Sequence, residues 1–254
     1  MGIVRERDLL HERHEGRSHL AVTDAPPASA LGRPPRRWLR LLGGALALAA
    51  LGVAGLVASM WDAFGAAPEG ERLARIAQSP HYADGRFRNA LPTVSDGASL
   101  GTIWEYLAGG SDHRQPRGAL PVVPRAASDF AEPVDSLRVT WLGHSTLLIE
   151  MEGARVLVDP VWGERASPSA WFGAPRFYAP PLALADLPPV DAVALSHDHY
   201  DHLDMPTVRA LAGRVPRWLV PLGVGAHLEA WGVPAERITE LDWWARPRSR
   251  ACAW

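Results

Sequence analysis

The hydrophobic and polar positions of this chain fall into three textures. Residues 41–60, LLGGALALAALGVAGLVASM, are apolar throughout and carry no charge. Twenty helical residues at about 1.5 Å each reach roughly the 30 Å of a bilayer's hydrocarbon core, so this run predicts a membrane-spanning helix over 38–61. From 62 to 136 the chain is rich in Gly, Pro, Ser and Ala without a sustained period, and reads as an irregular lead-in, with a short helix ending at the glycines of WEYLAGG (104–110). From Leu137 the pattern alternates. LRVTWLG (137–143), STLLIEM (145–151) and ARVLVD (154–159) read as strands, the last two joined at Glu152-Gly153 as a hairpin. A long proline-punctuated loop (162–189) leads to VDAVALS (190–196), a continuous apolar run of the buried-strand kind. Beyond it, Asp204 and Pro206 mark a helix start, PRWLVPL (216–222) a strand, VGAHLEAWG (224–232) a helix and RITELDWW (237–244) a strand. Strands followed by alternating strands and helices predict a layered α/β fold over 137–244, with an atypical tail at 245–254.

Composition narrows this. Arg33, Arg36, Arg37 and Arg40 precede the apolar run, Asp62, Glu69 and Glu71 follow it, and Trp38 and Trp61 sit at its ends. That asymmetry predicts a single-pass membrane protein with residues 1–37 as a disordered cytoplasmic tail and the remainder across the membrane, periplasmic in a bacterium. A cleaved signal peptide is the alternative, but the run is long for a signal core and about forty residues precede it. A net charge of −2 gives no electrostatic footprint for nucleic acid. The only cysteine, Cys252, excludes an internal disulfide and a cysteine-based metal site, so any metal must be held by nitrogen and oxygen.

The chemistry concentrates at SHDHYDHLD (196–204), with three histidines and three aspartates in nine residues directly after the buried strand. In His-x-His on extended backbone, His197 and His199 project to one side and can share a cation. Asp201 and His202, on the turn into the next helix, can face a second. Imidazole and carboxylate together suit zinc, and two metals can brace both oxygens of a displacement. The competing reading is a histidine-rich surface turn. Elsewhere, His227 is expected at the surface. The aromatics Trp162, Trp171, Phe172, Phe177 and Tyr178 of the long loop either line an apolar mouth for acyl chains or simply pack the loop.

SHDHYDHLD resembles the signature of the metallo-β-lactamase superfamily, whose αββα sandwich carries one or two zinc ions. TWLGHSTLLIEMEGARVLVDPVWGERASP (140–168), FYAPPLALADLPPVDAVALSHDHYDHLD (177–204), LDWW (241–244) and DGRFRNALPT (84–93) are similar to the branch of N-acyl-phosphatidylethanolamine-hydrolysing phospholipase D. The resemblance implies His197 and His199 on a first zinc, and Asp201 and His202 on a second, with Asp201 also the catalytic carboxylate. It implies that Asp159 orients a ligand histidine, and that His144 lies near the site without being a ligand. It implies hydrolysis of a membrane-lipid phosphodiester, or of a lactone or other small ester. The family's remaining ligands are a third histidine, a bridging aspartate and a final histidine, all further downstream. None of these follows His227 in family-like context, and ARPRSRACAW (245–254) departs from the pattern. The expectation is therefore the N-terminal half of the sandwich, ended by a frameshift or early stop, with impaired turnover or a non-catalytic tethered remnant as the outcome.

Overall fold

The computed structural model describes residues 36–91, 99–110, 113–132 and 134–246. The expected tail at 1–35 and most of the atypical tail, 247–254, lie outside the described residues. The chain divides into two compact units, 1–51 and 52–254. The described part of the first belongs to helix α1 (Arg36–Met60), which is long and apolar enough to cross a membrane, with a mean hydropathy of 2.2 and none of its apolar window buried.

In the second unit the stretch expected to be irregular holds several elements. A 3-10 turn (Trp61–Phe64) precedes α2 (Gly70–Ala77), and a two-stranded hairpin joins β1 (Tyr82–Ala83) to β2 (Arg86–Phe87) before α3 (Leu100–Leu107). Helix α2 escapes a periodicity search because eight residues give little more than two turns, and only Ile76 is buried. What holds it is charge. Arg72 Nε donates to Glu240 Oε1 at 2.8 Å, Arg75 Nη2 to Glu240 Oε2 at 2.7 Å, and Arg72 Nη2 to Glu229 Oε1 at 2.7 Å. The hairpin turns on Asp84 and Gly85, both at positive φ (53° and 76°), the Asp-Gly geometry of a type I′ turn.

The main sheet has six strands in sequential order: β3 (Arg138–Gly143), β4 (Thr146–Met151), β5 (Ala154–Val158), β6 (Ala192–Ala194), β7 (Trp218–Pro221) and β8 (Ile238–Leu241). The first three pair antiparallel; β5 through β8 run parallel. Helices α4 (Met205–Leu211) and α5 (Gly225–Ala230) make the connections after β6 and β7. Leu142, Leu148, Leu157, Val193, Trp218 and Val220 share one core with Val208 and Leu211 of α4 and Leu228 of α5. Each such side chain stabilises the fold by about 1.5–3 kcal/mol on burial. On the other sheet face Val139, Trp141 and Met151 are exposed. Within the core, Glu150 is 1% exposed and bridges Arg138 and Arg155. Burial pushes its carboxyl up, but the hydrogen bonds and charges of the two guanidiniums outweigh that and hold it below the usual range.

Candidate metal centre

The site forms where parallel strands end. β5 stops at Val158, and Asp159 takes a left-handed turn (φ 43°) while its N–H still bonds the Ala194 carbonyl at 2.9 Å. That places a buried carboxylate under the loop leaving β6. Oδ1 accepts the Ser196 N–H at 2.7 Å; Oδ2 accepts the Ser196 hydroxyl at 2.7 Å and faces His202 Nδ1 at 2.9 Å. A carboxylate only accepts, so Nδ1 of His202 carries the hydrogen and Nε2 keeps its lone pair outward. The Ser196 oxygen, having given its proton to Asp159, accepts from His197 Nδ1 at 2.9 Å, which fixes His197 in the same tautomer. Asp159 therefore contacts both Ser196 and the His202 ring from beneath the loop.

The four residues of the expected ligand set converge. The ring centroids of His197 and His202 lie 4.0 Å apart, and those of His197 and His199 4.7 Å. Asp201 Oδ2 stands 3.7 Å from His202 Nε2 and 2.9 Å from His144 Nε2. One ligand atom from each of His144, Asp201 and His202 lies within 4.8 Å of the others. Burial pushes the Asp201 carboxyl up, but the His144 hydrogen bond, its own backbone N–H and the neighbouring imidazoles bring it below the usual range. It is an anion at neutral pH. This donor set of imidazole nitrogen and carboxylate oxygen fits a divalent metal.

His144 arrives by a different route. A bulge between Trp141 and Gly143 ends β3, Gly143 sits at φ 106°, and His144 follows at φ 47°. Its carbonyl is pinned by Trp141 Nε1–H at 2.7 Å, and the Asp201 carbonyl accepts from Ser145 Oγ at 2.7 Å. Asp204 opens α4 as expected, but its carboxylate does not cap the helix N–H groups. It accepts instead from Thr207 Oγ1 and from Gly163 N–H at 3.0 Å, tying down the long loop.

One reading from sequence is corrected, and one left open is narrowed. His227 is not a surface residue. It is half-buried, lines both cavities beside the cluster, and accepts the Ala66 N–H on Nδ1 at 3.2 Å. Its isolation in sequence from the histidine cluster hid this. The aromatic loop does not form an apolar mouth at the site: Trp171, Phe172 and Phe177 are exposed, Trp162 packs on the core, and Tyr178 packs edge-on to Trp141. The apolar cavity lies elsewhere, above the ends of β6–β8. Its volume is about 700 Å³, and Leu73 and Ile76 of α2, Phe87 of the hairpin, Leu222 and Trp243 line it beside His197 and Asp198. Among the described residues no arginine or lysine lines either cavity.

Comparison with known proteins agrees with this geometry. Residues 154–251 match the beta-lactamase superfamily domain. An uncharacterized protein of Mycobacterium tuberculosis is 51% identical over 172 residues, covering 65% of this chain and 45% of the relative. N-acyl-phosphatidylethanolamine-hydrolyzing phospholipase D 1 of Caenorhabditis elegans is 41% identical over 138 residues, covering 52% of this chain and 38% of the relative. The chain thus spans less than half the length of these relatives. The crystal structure of CmlA, a diiron β-hydroxylase from Streptomyces venezuelae, aligns at 29% identity with a TM-score of 0.32, covering 44% of this chain and 22% of that one. That score is too low to bear on fold or metal. Residues 154–251 thus carry a beta-lactamase superfamily domain, and the chain is similar to proteins that include metal-dependent hydrolases.

Proposed function

We propose that this chain carries the metal-binding half-site of a membrane-anchored, zinc-dependent hydrolase of phosphodiesters, with lipids of the N-acyl-phosphatidylethanolamine type as the substrate class. The observation that carries the reading is the Asp159 network. It fixes Nδ1–H on His197 and His202 and so leaves both Nε2 lone pairs free for a metal, with Asp201 ionised alongside. His197 and His199 would hold one zinc, Asp201 and His202 a second. His144 positions Asp201 by hydrogen bond. Bound zinc supplies Lewis-acid polarisation and charge neutralisation at the phosphoryl oxygens. The apolar cavity beside His197 offers room for an acyl chain, and α1 supplies the anchor. Among the described residues each zinc would have two protein ligands, where catalytic sites usually have three.

A second reading keeps the metals and takes a lactone or another uncharged ester. It is favoured by the lack of arginine or lysine among the described residues along both cavities. The test is to bring the detergent-solubilised chain to saturating zinc, or iron, and count bound metal by mass spectrometry. Hydrolysis of N-acyl-phosphatidylethanolamine, bis(4-nitrophenyl) phosphate and a γ-lactone is then compared. Zinc-dependent cleavage of the diesters supports the proposal. Preference for the lactone moves it to the second reading, and less than one metal per chain at saturation marks a non-catalytic remnant and overturns both.

A further inference from the structure

We propose that His227 is a substrate-positioning residue, its Nε2–H directed at an oxygen of the bound substrate beside the metal cluster. This rests on the function proposed above and extends it to a residue outside the histidine cluster.

The tautomer follows from geometry. A backbone N–H can only donate, so the 3.2 Å contact from Ala66 makes Nδ1 of His227 an acceptor and puts the ring hydrogen on Nε2. A ring in that state has no Nε2 lone pair to give a metal. It is a fixed donor, not a further ligand. Among the described residues no group accepts from Nε2, and the atom is not sealed away, since the only buried side-chain nitrogen or oxygen without a partner is Trp218 Nε1. His227 lines the apolar cavity that reaches His197 and also the smaller one lined by His199, Tyr200 and Asp201. It stands where the two meet.

The ring is also held rigidly. A Cβ placed on Gly65 (φ 66°) would lie 2.1 Å from Nδ1, so glycine is required for the backbone to pass this close. On the other side the Trp231 ring stacks on the imidazole at 5.8 Å, and its Nε1–H is given to the Asp62 carbonyl at 2.7 Å. Burial keeps the imidazole neutral, against a smaller opposing pull from Asp198. A preorganised neutral donor of this kind suits an oxygen of a monoanionic or uncharged group. A dianion would meet Asp198 and Asp242 in the cavity walls, with no arginine or lysine among the described lining residues to offset them.

The experiment uses the full chain at saturating zinc with diethyl phosphate as the probe. Nitrogen-15 spectra of the histidine rings should show His227 neutral and protonated on Nε2 at pH 7, and the probe should move its Nε2 signal while leaving Nδ1 in place. H227N keeps an acceptor for Ala66 but withdraws the donor, and should weaken probe binding about tenfold, the value of one hydrogen bond. H227Q keeps a donor at the Nε2 position and should recover to within about threefold of wild type. Zinc per chain should not change in either variant. Wild-type probe affinity in H227N, protonation on Nδ1, or loss of zinc from H227N would each overturn the assignment. A wild-type chain that takes up no zinc sinks the proposed function and this assignment with it. The metal count tells that apart from failure of His227 alone.

Discussion

Asp159 and His202 are 43 residues apart in sequence, yet the Asp159 Oδ2 atom lies 2.9 Å from His202 Nδ1 beneath the cluster. Because the same carboxylate also holds Ser196, it governs the orientation of two imidazoles at once. Replacing it by asparagine puts an NH2 or a weaker acceptor against Nδ1. D159N should therefore lose about 10–100-fold in zinc affinity. Competition against a metal-binding dye measures this, and a change under threefold would count against the orienting role.

Glu150 sets an acid limit on the fold. Its carboxyl is held below the usual range, so the folded state binds its proton less readily than the unfolded chain. The stability it contributes is complete above the unfolded value and is lost as pH falls through the lower folded one. Removing the carboxylate strands the guanidinium of Arg155, which is 14% exposed. E150A should cost about 3 kcal/mol in urea unfolding at pH 7. The gap between mutant and wild type should narrow as the solution is taken below pH 4 or so. A pH-independent gap would show that packing alone is responsible.

Glu240 ties α2 to the rest of the second unit. It is nearly buried and accepts from Arg72, Arg75 and the N–H groups of Gly223 and Gly225. E240A removes the acceptor that these donors share, leaving Arg72 held by Glu229 alone and the N–H groups of Gly223 and Gly225 without it, and should destabilise the fold by about 2–4 kcal/mol. Amide exchange over 70–77 should accelerate before exchange in β4 and β5 does. Uniform acceleration would mean that α2 is not a separately anchored element.

Gly65 offers a test of the close approach to His227 with a single methyl. G65A must displace either the 65–66 backbone or the imidazole, and it adds a side chain at positive φ. A loss of about 1–3 kcal/mol is expected, with a shift in the His227 ring signals. An unchanged ring spectrum would mean that the backbone yields instead.

The parts of the fold that alternate plainly were legible in sequence. β3, β4 and β5 lie within a residue or two of the runs read from sequence, most plainly β4, where fully buried positions alternate with less buried ones. α4 was marked by Asp204 and Pro206. The cluster was legible because its residues are adjacent. What stayed hidden depends on pairing across long separations: α2 is recruited by Glu240, 168 residues from Arg72, and His227 is drawn inward by Ala66, 161 residues away. The Asp84-Gly85 turn is a hairpin signal in the sequence, but it is masked by a stretch with no visible period.

The short run after α1 does more than connect. Ala63 and Phe64 form part of a cavity wall with His199 and Asp201, Asp62 receives Trp231, and Ala66 holds His227. From Met60 to Ala63 is three residues, a reach of about 11 Å at most. The last residue of α1 and this cavity wall are thus joined by a short tether within the second unit. A chain cut at Pro68 to shed the helix would lose Ala63 and Phe64 from that cavity wall, whereas one beginning at Trp61 would keep them.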